Sequence, residues 1–237
     1  MLLICLDGYD PRFAKDIKWK ERFDMFYEID TEDHTIPSNC WILTGHGTKI
    51  RKYMWDVGDK KSKLFSHEDL GGPFLWEKLE EKGLSQVWIS IPIIRPLPKV
   101  KDAVFIPGVL SRPQKSDEKY LNILKKTKYS LEDLLELVEL EFKIYLKYAD
   151  RDFVYLYVFW LDPANHRGLT KPVKGKVDEW MEKIPLHSKT VVYSDHGRPG
   201  GGRGYVGHFP RGILGLKGIS KRISHIKELH SLILEEV

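Results

Sequence analysis

Cysteine is almost missing from this chain: Cys5 and Cys40 are the only two among 237 residues. That excludes a disulfide framework of the kind that staples small secreted domains, and a reduced compartment is the economical inference. Long apolar runs are missing too. The longest, Phe153 to Leu161, falls well short of the roughly 20 residues that span a bilayer, so no membrane-crossing helix is expected. The first strand-like run begins at Leu2 and leaves no room for a signal peptide, which makes a cytoplasmic protein the expectation. Blocks of one charge are also lacking. The 38 Lys and Arg are interleaved with 34 Asp and Glu, for a net charge of +4 and a pI near 8.8. Charge so evenly spread does not describe a specific nucleic-acid groove, and the aromatic residues between Val154 and Trp160 read as strand core, not as a base-stacking platform. No G-x-G-x-x-G follows a strand and opens a helix, so the dinucleotide fingerprint is absent as well.

What the chain does contain is a set of metal-ligand side chains at the ends of apolar runs. Leu2 to Leu6 ends in Asp7, Phe153 to Leu161 ends in Asp162 with His166 four residues on, and Thr190 to Tyr193 is followed by Asp195 and His196, with His208 later. Short apolar runs bounded by Gly, Pro or Asp read as strands buried on both faces, and in a parallel sheet their carboxyl ends share one edge. Any single Asp there is as well explained as a turn former or helix cap. Six such residues at successive strand ends point instead to a two-metal site. Mixed imidazole and carboxylate donors suit Zn²⁺ first and Mn²⁺ second, whereas calcium or magnesium sites are built almost wholly from oxygen.

The segment from Thr35 to Gly45 supplies a reactive group. Pro37 suits the first turn of a helix and Gly45 suits its stop, so Thr35 falls at the helix N-terminus. Free backbone N–H groups and the positive end of the helix dipole gather there, ready for a phosphate. A hydroxyl is a weak nucleophile until a metal lowers its pKa.

The rest of the chain fits an α/β protein: a three-layer α/β/α sandwich around a mostly parallel sheet, forming one domain over residues 1–237. The longest candidate linker, Pro107 to Lys128, is too short to separate two large domains. A helix is expected near Phe74 to Lys82, stopping at Gly83, and a strand near Gln86 to Ile91. A second helix opens on the capping-box sequence Ser-Leu-Glu-Asp at Ser130 and runs to about Tyr148, with Leu131, Leu134, Leu135, Val138 and Phe142 as its core face.

The order strand-Asp, T-x-P-x(6)-T-G, D-x(3)-H, S-D-H-G and a late His resembles the alkaline phosphatase superfamily, and within it type I phosphodiesterases and nucleotide pyrophosphatases. The match runs from Asp7 to about Gly218, including Gly72 to Gly83 with the strand after it and His208 with the strand after it. The resemblance implies one metal held by Asp7, Thr35, Asp195 and His196 and another by Asp162, His166 and His208. It also implies in-line attack by Thr35, a phospho-threonine, and hydrolysis by water. The chain is short for this family, and no large cap domain is expected. The implied site is open, with Ile91 to Pro98 and Arg112 to Asp117 as candidate rims.

Two departures bear on the substrate, expected to be a small anionic phosphoester with nucleotides among the candidates. Nucleotide pyrophosphatases carry an Asn after the helix; His46 to Asp56 holds none, and Arg51 or Lys52 is the candidate substitute. Extra cations favour the more highly charged monoesters; a solvated basic loop is the plain alternative. The Arg198 to Gly204 stretch reads either as a mobile substrate loop presenting Arg198 and Arg203 to phosphate oxygens or as a flexible connector. A metal-dependent phosphoric ester hydrolase is therefore the leading expectation. A phosphomonoesterase or phosphomutase follows, then an inactive metal-stabilised binding protein. A sulfatase ranks last, since Cys40 is poorly placed for its formylglycine.

Overall fold

Seven runs rich in Val, Ile, Leu and aromatic residues pair into one sheet: β1 (Leu2–Leu6), β2 (Met25–Asp30), β5 (Gln86–Ile89), β6 (Ala103–Ile106), β7 (Phe153–Val158), β8 (Thr190–Tyr193) and β9 (Arg211–Lys217). Two further strands, β3 (Met54–Asp56) and β4 (Ser62–Leu64), form a separate antiparallel pair. The computed structural model describes residues 1–48, 54–56, 62–64, 70–91, 97–106, 108, 122–124, 128–199 and 208–237. Within the sheet the order is β2-β9-β8-β1-β7-β5-β6, and β9 alone runs against its neighbours. The carboxyl ends of β1, β7 and β8, in the middle of the sheet, consequently lie side by side.

Alternation along each strand divides the core in two. Leu2, Ile4 and Leu6 point to one face and Leu3 and Cys5 to the other. The first face is covered by α3 (Leu131–Lys147) and α5 (Thr170–Lys183), through Leu134, Val138, Phe142, Val173 and Val177. The second is covered by α1 (Thr35–Thr44), α2 (Leu75–Glu81) and α6 (Leu229–Glu236), through Cys40, Leu43, Leu79 and Leu232. This is a three-layer α/β/α arrangement, and no cap domain appears among the described residues. Both cysteines are buried and free. None of the described helices is long and apolar enough to cross a membrane.

The expected helix from Ser130 is present, with Ser130 and Asp133 closing a reciprocal capping box. Leu131 and Leu135 are only partly buried at its margin. The apolar run Phe153 to Leu161 is not one strand. β7 stops at Val158, and Leu161 to His166 form a short helix, α4, whose Leu161 is buried in the same core. Composition cannot separate a buried strand from a buried helix turn, which is why the run read as continuous. The strand expected to reach Ile91 ends at Ile89, and Ser90 turns the chain with φ of 61°.

α3 and α5 are joined by Glu139, which accepts from Trp180 Nε1 at 2.8 Å and pairs with Lys176 at 2.7 Å and Lys143 at 3.1 Å. Burial alone would raise its pKa, but these donors more than reverse the effect and hold it at about 2, against an ordinary 4.5. A carboxylate with a depressed folded pKa stabilises above its unfolded pKa, and that stability is lost as pH falls through the folded value. Glu139→Gln should therefore lower Tm at pH 7 by roughly 2–4 °C, the scale of ~1 kcal/mol in a domain of this size. Measured by circular dichroism, the gap from wild type should close as pH falls from 4.5 toward 2; a gap that persists in acid would show that charge is not its origin.

Candidate functional site

Five segments deliver side chains to the sheet edge. β1 passes straight into Asp7, whose N–H donates to the Val158 carbonyl of β7 at 3.1 Å. Gly8 then turns the chain with φ of +70°, and a side chain there would press on Asp162 and Asn165. Its N–H lies 3.4 Å from Asp195 Oδ1, just beyond β8. α1 begins at Thr35, with His34 as the capping residue, so the threonine sits in the first turn as the sequence suggested.

Asp7, Asp195 and His196 are fully buried, and each offers a ligand atom within 4.8 Å of the others. His196 Nε2 lies 3.1 Å from Asp7 Oδ1, 3.8 Å from Asp195 Oδ2 and 2.9 Å from Thr35 Oγ1. Its Nδ1 faces the Gly197 carbonyl at 2.8 Å, a contact that assigns the proton of the neutral ring to Nδ1 and leaves the Nε2 lone pair facing the carboxylates. Neither oxygen of Asp7 has a hydrogen bond of normal geometry, although both are buried. A lone pair, two carboxylates and a hydroxyl converging out of water need a positive charge among them, and this donor set fits a divalent cation. Without a cation, burial and the charge of Asp195 drive the Asp7 pKa well above the usual carboxylate range. Burial would lower the His196 pKa, but Asp195, Asp7 and Asp162 together push it well above normal.

A second cluster, Asp162, His166 and His208, lies beside the first and opens toward solvent. Asp162 and His166 sit one turn apart on α4, and His208 precedes β9. His208 Nε2 is 3.1 Å from Asp162 Oδ1, and His166 Nε2 is 3.5 Å from Asp162 Oδ2 and 3.2 Å from His208 Nε2. Burial opposes ionisation of Asp162, but the two imidazoles outweigh it and hold its pKa well below normal. The rings of His196 and His208 stack with centroids 3.9 Å apart, so the two clusters touch.

All seven residues expected to form the site are thus brought together. The supporting contacts were not visible in the sequence. Tyr157, read there as strand core, donates from its hydroxyl to Asp195 Oδ2 at 3.0 Å, and Ser38 donates to the Asp195 carbonyl at 2.6 Å. Asn39 donates to the Thr35 carbonyl at 2.9 Å and accepts from Tyr155 at 3.2 Å. Tyr155 and Tyr157 share a face by alternation, the one signal that pointed inward, but an all-apolar strand conceals which hydroxyls find partners. Arg198 is half-exposed: its Nε is 3.9 Å from Asp10 Oδ2, and its guanidinium lies 5.9 Å from the Phe209 ring. Arg51, Lys52, Arg203 and the 112–117 rim lie outside the described residues, as does most of the 91–98 rim.

No protein-family model matches the chain, and no curated protein does. Solved structures do match. Phosphonoacetate hydrolase from Sinorhizobium meliloti, bound to phosphonoformate, is 15% identical with a TM-score of 0.53, over 83% of this chain and 55% of that one. Murine ectonucleotide pyrophosphatase / phosphodiesterase 5 is 13% identical with a TM-score of 0.54, over 83% and 57%. A Vibrio parahaemolyticus protein in the alkaline phosphatase superfamily is 13% identical with a TM-score of 0.55, over 99% and 65%. The chain has an alkaline-phosphatase-like fold, and it spans between 55% and 65% of the length of these structures.

Ligand that binds only the folded state stabilises it, by about 2.7 kcal/mol at a hundred times Kd. Zn²⁺ or Mn²⁺ should accordingly raise the Tm of chelator-treated protein, and Asp7→Asn, nearly isosteric, should abolish at least half of the rise. A Tm indifferent to both ions in scanning calorimetry would rule out these clusters as cation sites.

Proposed function

We propose that this protein is a metal-dependent phosphoric ester hydrolase of the phosphodiesterase and nucleotide pyrophosphatase type, with Thr35 as nucleophile. The observation that carries the reading is Thr35 Oγ1, 2.9 Å from His196 Nε2 at the head of a helix and beside two clusters of metal-ligand side chains. Asp7, Asp195, His196 and the Thr35 hydroxyl would hold one ion, and Asp162, His166 and His208 would hold the other. Zn²⁺ is the first choice for both and Mn²⁺ the second. Divalent ions there supply Lewis acidity, lowering the pKa of a hydroxyl or water and offsetting charge on phosphoryl oxygens. The structural neighbours named above include a phosphonoacetate hydrolase and a nucleotide pyrophosphatase / phosphodiesterase, which supports phosphorus chemistry at this edge.

The chain's own groups account for the positioning. Thr35 is nearly buried, which limits competing water, and its backbone is tied through Asn39 to Tyr155 on β7. Tyr157 and Ser38 fix Asp195 from two sides. The Thr35 hydroxyl gives up its proton to water and its oxygen forms a bond to phosphorus, while the opposite P–O bond breaks and its electron pair leaves with the departing group. Water then cleaves the phospho-threonine and restores the hydroxyl. The first helical turn contributes its positive dipole to the developing charge on the phosphoryl group. A phosphomonoesterase or phosphomutase would use the same groups, and substrate choice separates the readings.

Wild type loaded with Zn²⁺ or Mn²⁺ should hydrolyse bis-p-nitrophenyl phosphate faster than p-nitrophenyl phosphate. Thr35→Ala should reduce turnover by at least ~10³-fold, and His166→Ala should lower bound metal by elemental analysis. Preference for the monoester would reassign the substrate class, and silence on both across metals and pH would favour a binding protein.

A further inference from the structure

His230, on α6, is buried where three helices meet. Its Nδ1 is 2.8 Å from the Ile42 carbonyl in the last turn of α1, and its Nε2 is 2.9 Å from the Lys78 ammonium on α2. These partners assign the ring proton. A carbonyl only accepts and an ammonium only donates, so Nδ1 carries the hydrogen, Nε2 presents its lone pair, and the ring is neutral. Each contact answers a need of the fold. The Ile42 carbonyl is among those a helix leaves without an intrahelical partner at its end, and the His46 N–H, four residues on, donates to Thr44 Oγ1 at 3.2 Å instead. The ring also fills the space beside Gly45, which closes α1 with φ of 75°; a β-carbon there would come within 2.8 Å of His230 Cδ2.

Protonation does not suit this arrangement. It would set an N–H on Nε2 against the N–H groups of Lys78, two positive charges at hydrogen-bond distance with neither able to accept. His46, just past α1, adds to the repulsion when it is charged. The acids on the adjoining helices are engaged elsewhere or face solvent. Glu77 of α2 accepts from the Phe74 N–H at 2.8 Å, Glu80 accepts from the Lys101 N–H at 2.5 Å, and Glu81 is exposed. On α6, Glu235 pairs with Lys221 at 2.6 Å and Glu236 with Lys189 at 3.0 Å. Lys82, at the end of α2, donates to the carbonyls of Leu234 and Val237. Burial, then Lys78 and His46, hold the His230 pKa below its ordinary 6.5, against the opposing pull of the Ile42 carbonyl.

We propose that His230 is a positioning residue for the helix that carries Thr35 and that it works only as a neutral ring, so that acid opens the junction of α1, α2 and α6. α1 spans about 15 Å at the rise of an α-helix. Ser38 and Asn39 tie its first turns to Asp195 and Tyr155, and His230 holds the other end. The inference does not rest on the hydrolase reading, because it concerns the anchoring of α1 whatever reaction Thr35 serves. A base whose folded pKa is depressed stabilises in full above its unfolded value, and that stability is lost as pH falls from 6.5 toward the folded value.

The test is amide hydrogen exchange by NMR from about pH 7.5 to about pH 5.5, corrected for intrinsic rates. Protection in the last turn of α1 and in α6 should fall by about fivefold to tenfold in wild type, the ratio set by an open-state imidazole of ordinary pKa over that range. His230→Asn keeps an amide to donate to the Ile42 carbonyl but does not titrate, and its protection should stay nearly level. Lys78→Met removes the opposing ammonium, so it should raise the His230 pKa read from the ring resonances and shrink the fall; it carries the test if His230→Asn fails to fold. The ring ¹⁵N shifts of wild type at neutral pH should report hydrogen on Nδ1. A fall of equal size in wild type and in either variant would overturn the proposal by tracing the response to other histidines, and so would hydrogen on Nε2 or a His230 pKa unchanged in Lys78→Met.

Discussion

Asp7, Asp195 and His196 are held at the end of the sheet where no water reaches them. Withdrawing an ion from water costs several kcal/mol even after relaxation, and only nearby positive charge or hydrogen-bond donors offset it. Asp195 receives the hydroxyl of Tyr157, and the Gly8 N–H lies near its other oxygen; Asp7 receives no hydrogen bond of normal geometry at either oxygen. If Asp7 is ionised, its compensation comes from a charged neighbour, either a protonated His196 or a cation lodged between them. Almost every other feature of the edge, from the turn at Gly8 to the first residue of α1, keeps that small group of atoms together.

The sheet makes such a group affordable. β1, β7 and β8 are buried along their whole length and packed from both faces, so their ends move little relative to one another. The two ligand clusters nevertheless differ in surroundings. One is dry, where electrostatic forces are strong, and adjoins the threonine; the other is carried on a short helix and a segment before the antiparallel strand, and it faces solvent. Under the proposed reading, a dry side that fixes the Thr35 hydroxyl and a wet side open to solvent are suited to a displacement reaction.

The chain spans little more than half the length of two of the structures it resembles, and its described residues include nothing that covers the open cluster. Selectivity in such a setting falls to side chains around the rim. Lys171 and Arg198 line a cavity of about 610 Å³ that opens beside His166. Long cationic side chains at an open edge act at a distance and in a salt-dependent way, by contrast with the short, buried contacts around Asp195.

Asp7, Thr35, Asp162, His166, Asp195 and His196 were legible in the sequence because each belongs to a short local pattern: an acid ending an apolar run, a threonine two residues before proline, an acid and an imidazole one helical turn apart or adjacent after a strand; His208 was legible only as the late His of the family resemblance. The parallel sheet and the capped helix after Ser130 were legible for the same reason, since periodicity and capping are local properties. The limit of β7 was not, because Trp160 and Leu161 are as apolar as the strand they leave. Nor were Tyr157, Ser38 and Asn39 as supports of the site: a hydroxyl or amide in a buried segment has a role only once its partner is known, and those partners lie between 4 and 157 residues away. Local chemistry thus indicated which atoms are candidate ligands and candidate nucleophile. Their distances, the burial that sets their ionisation, and the cavity beside His166 arise from non-local packing, because a fold brings together charges that the order of residues keeps apart.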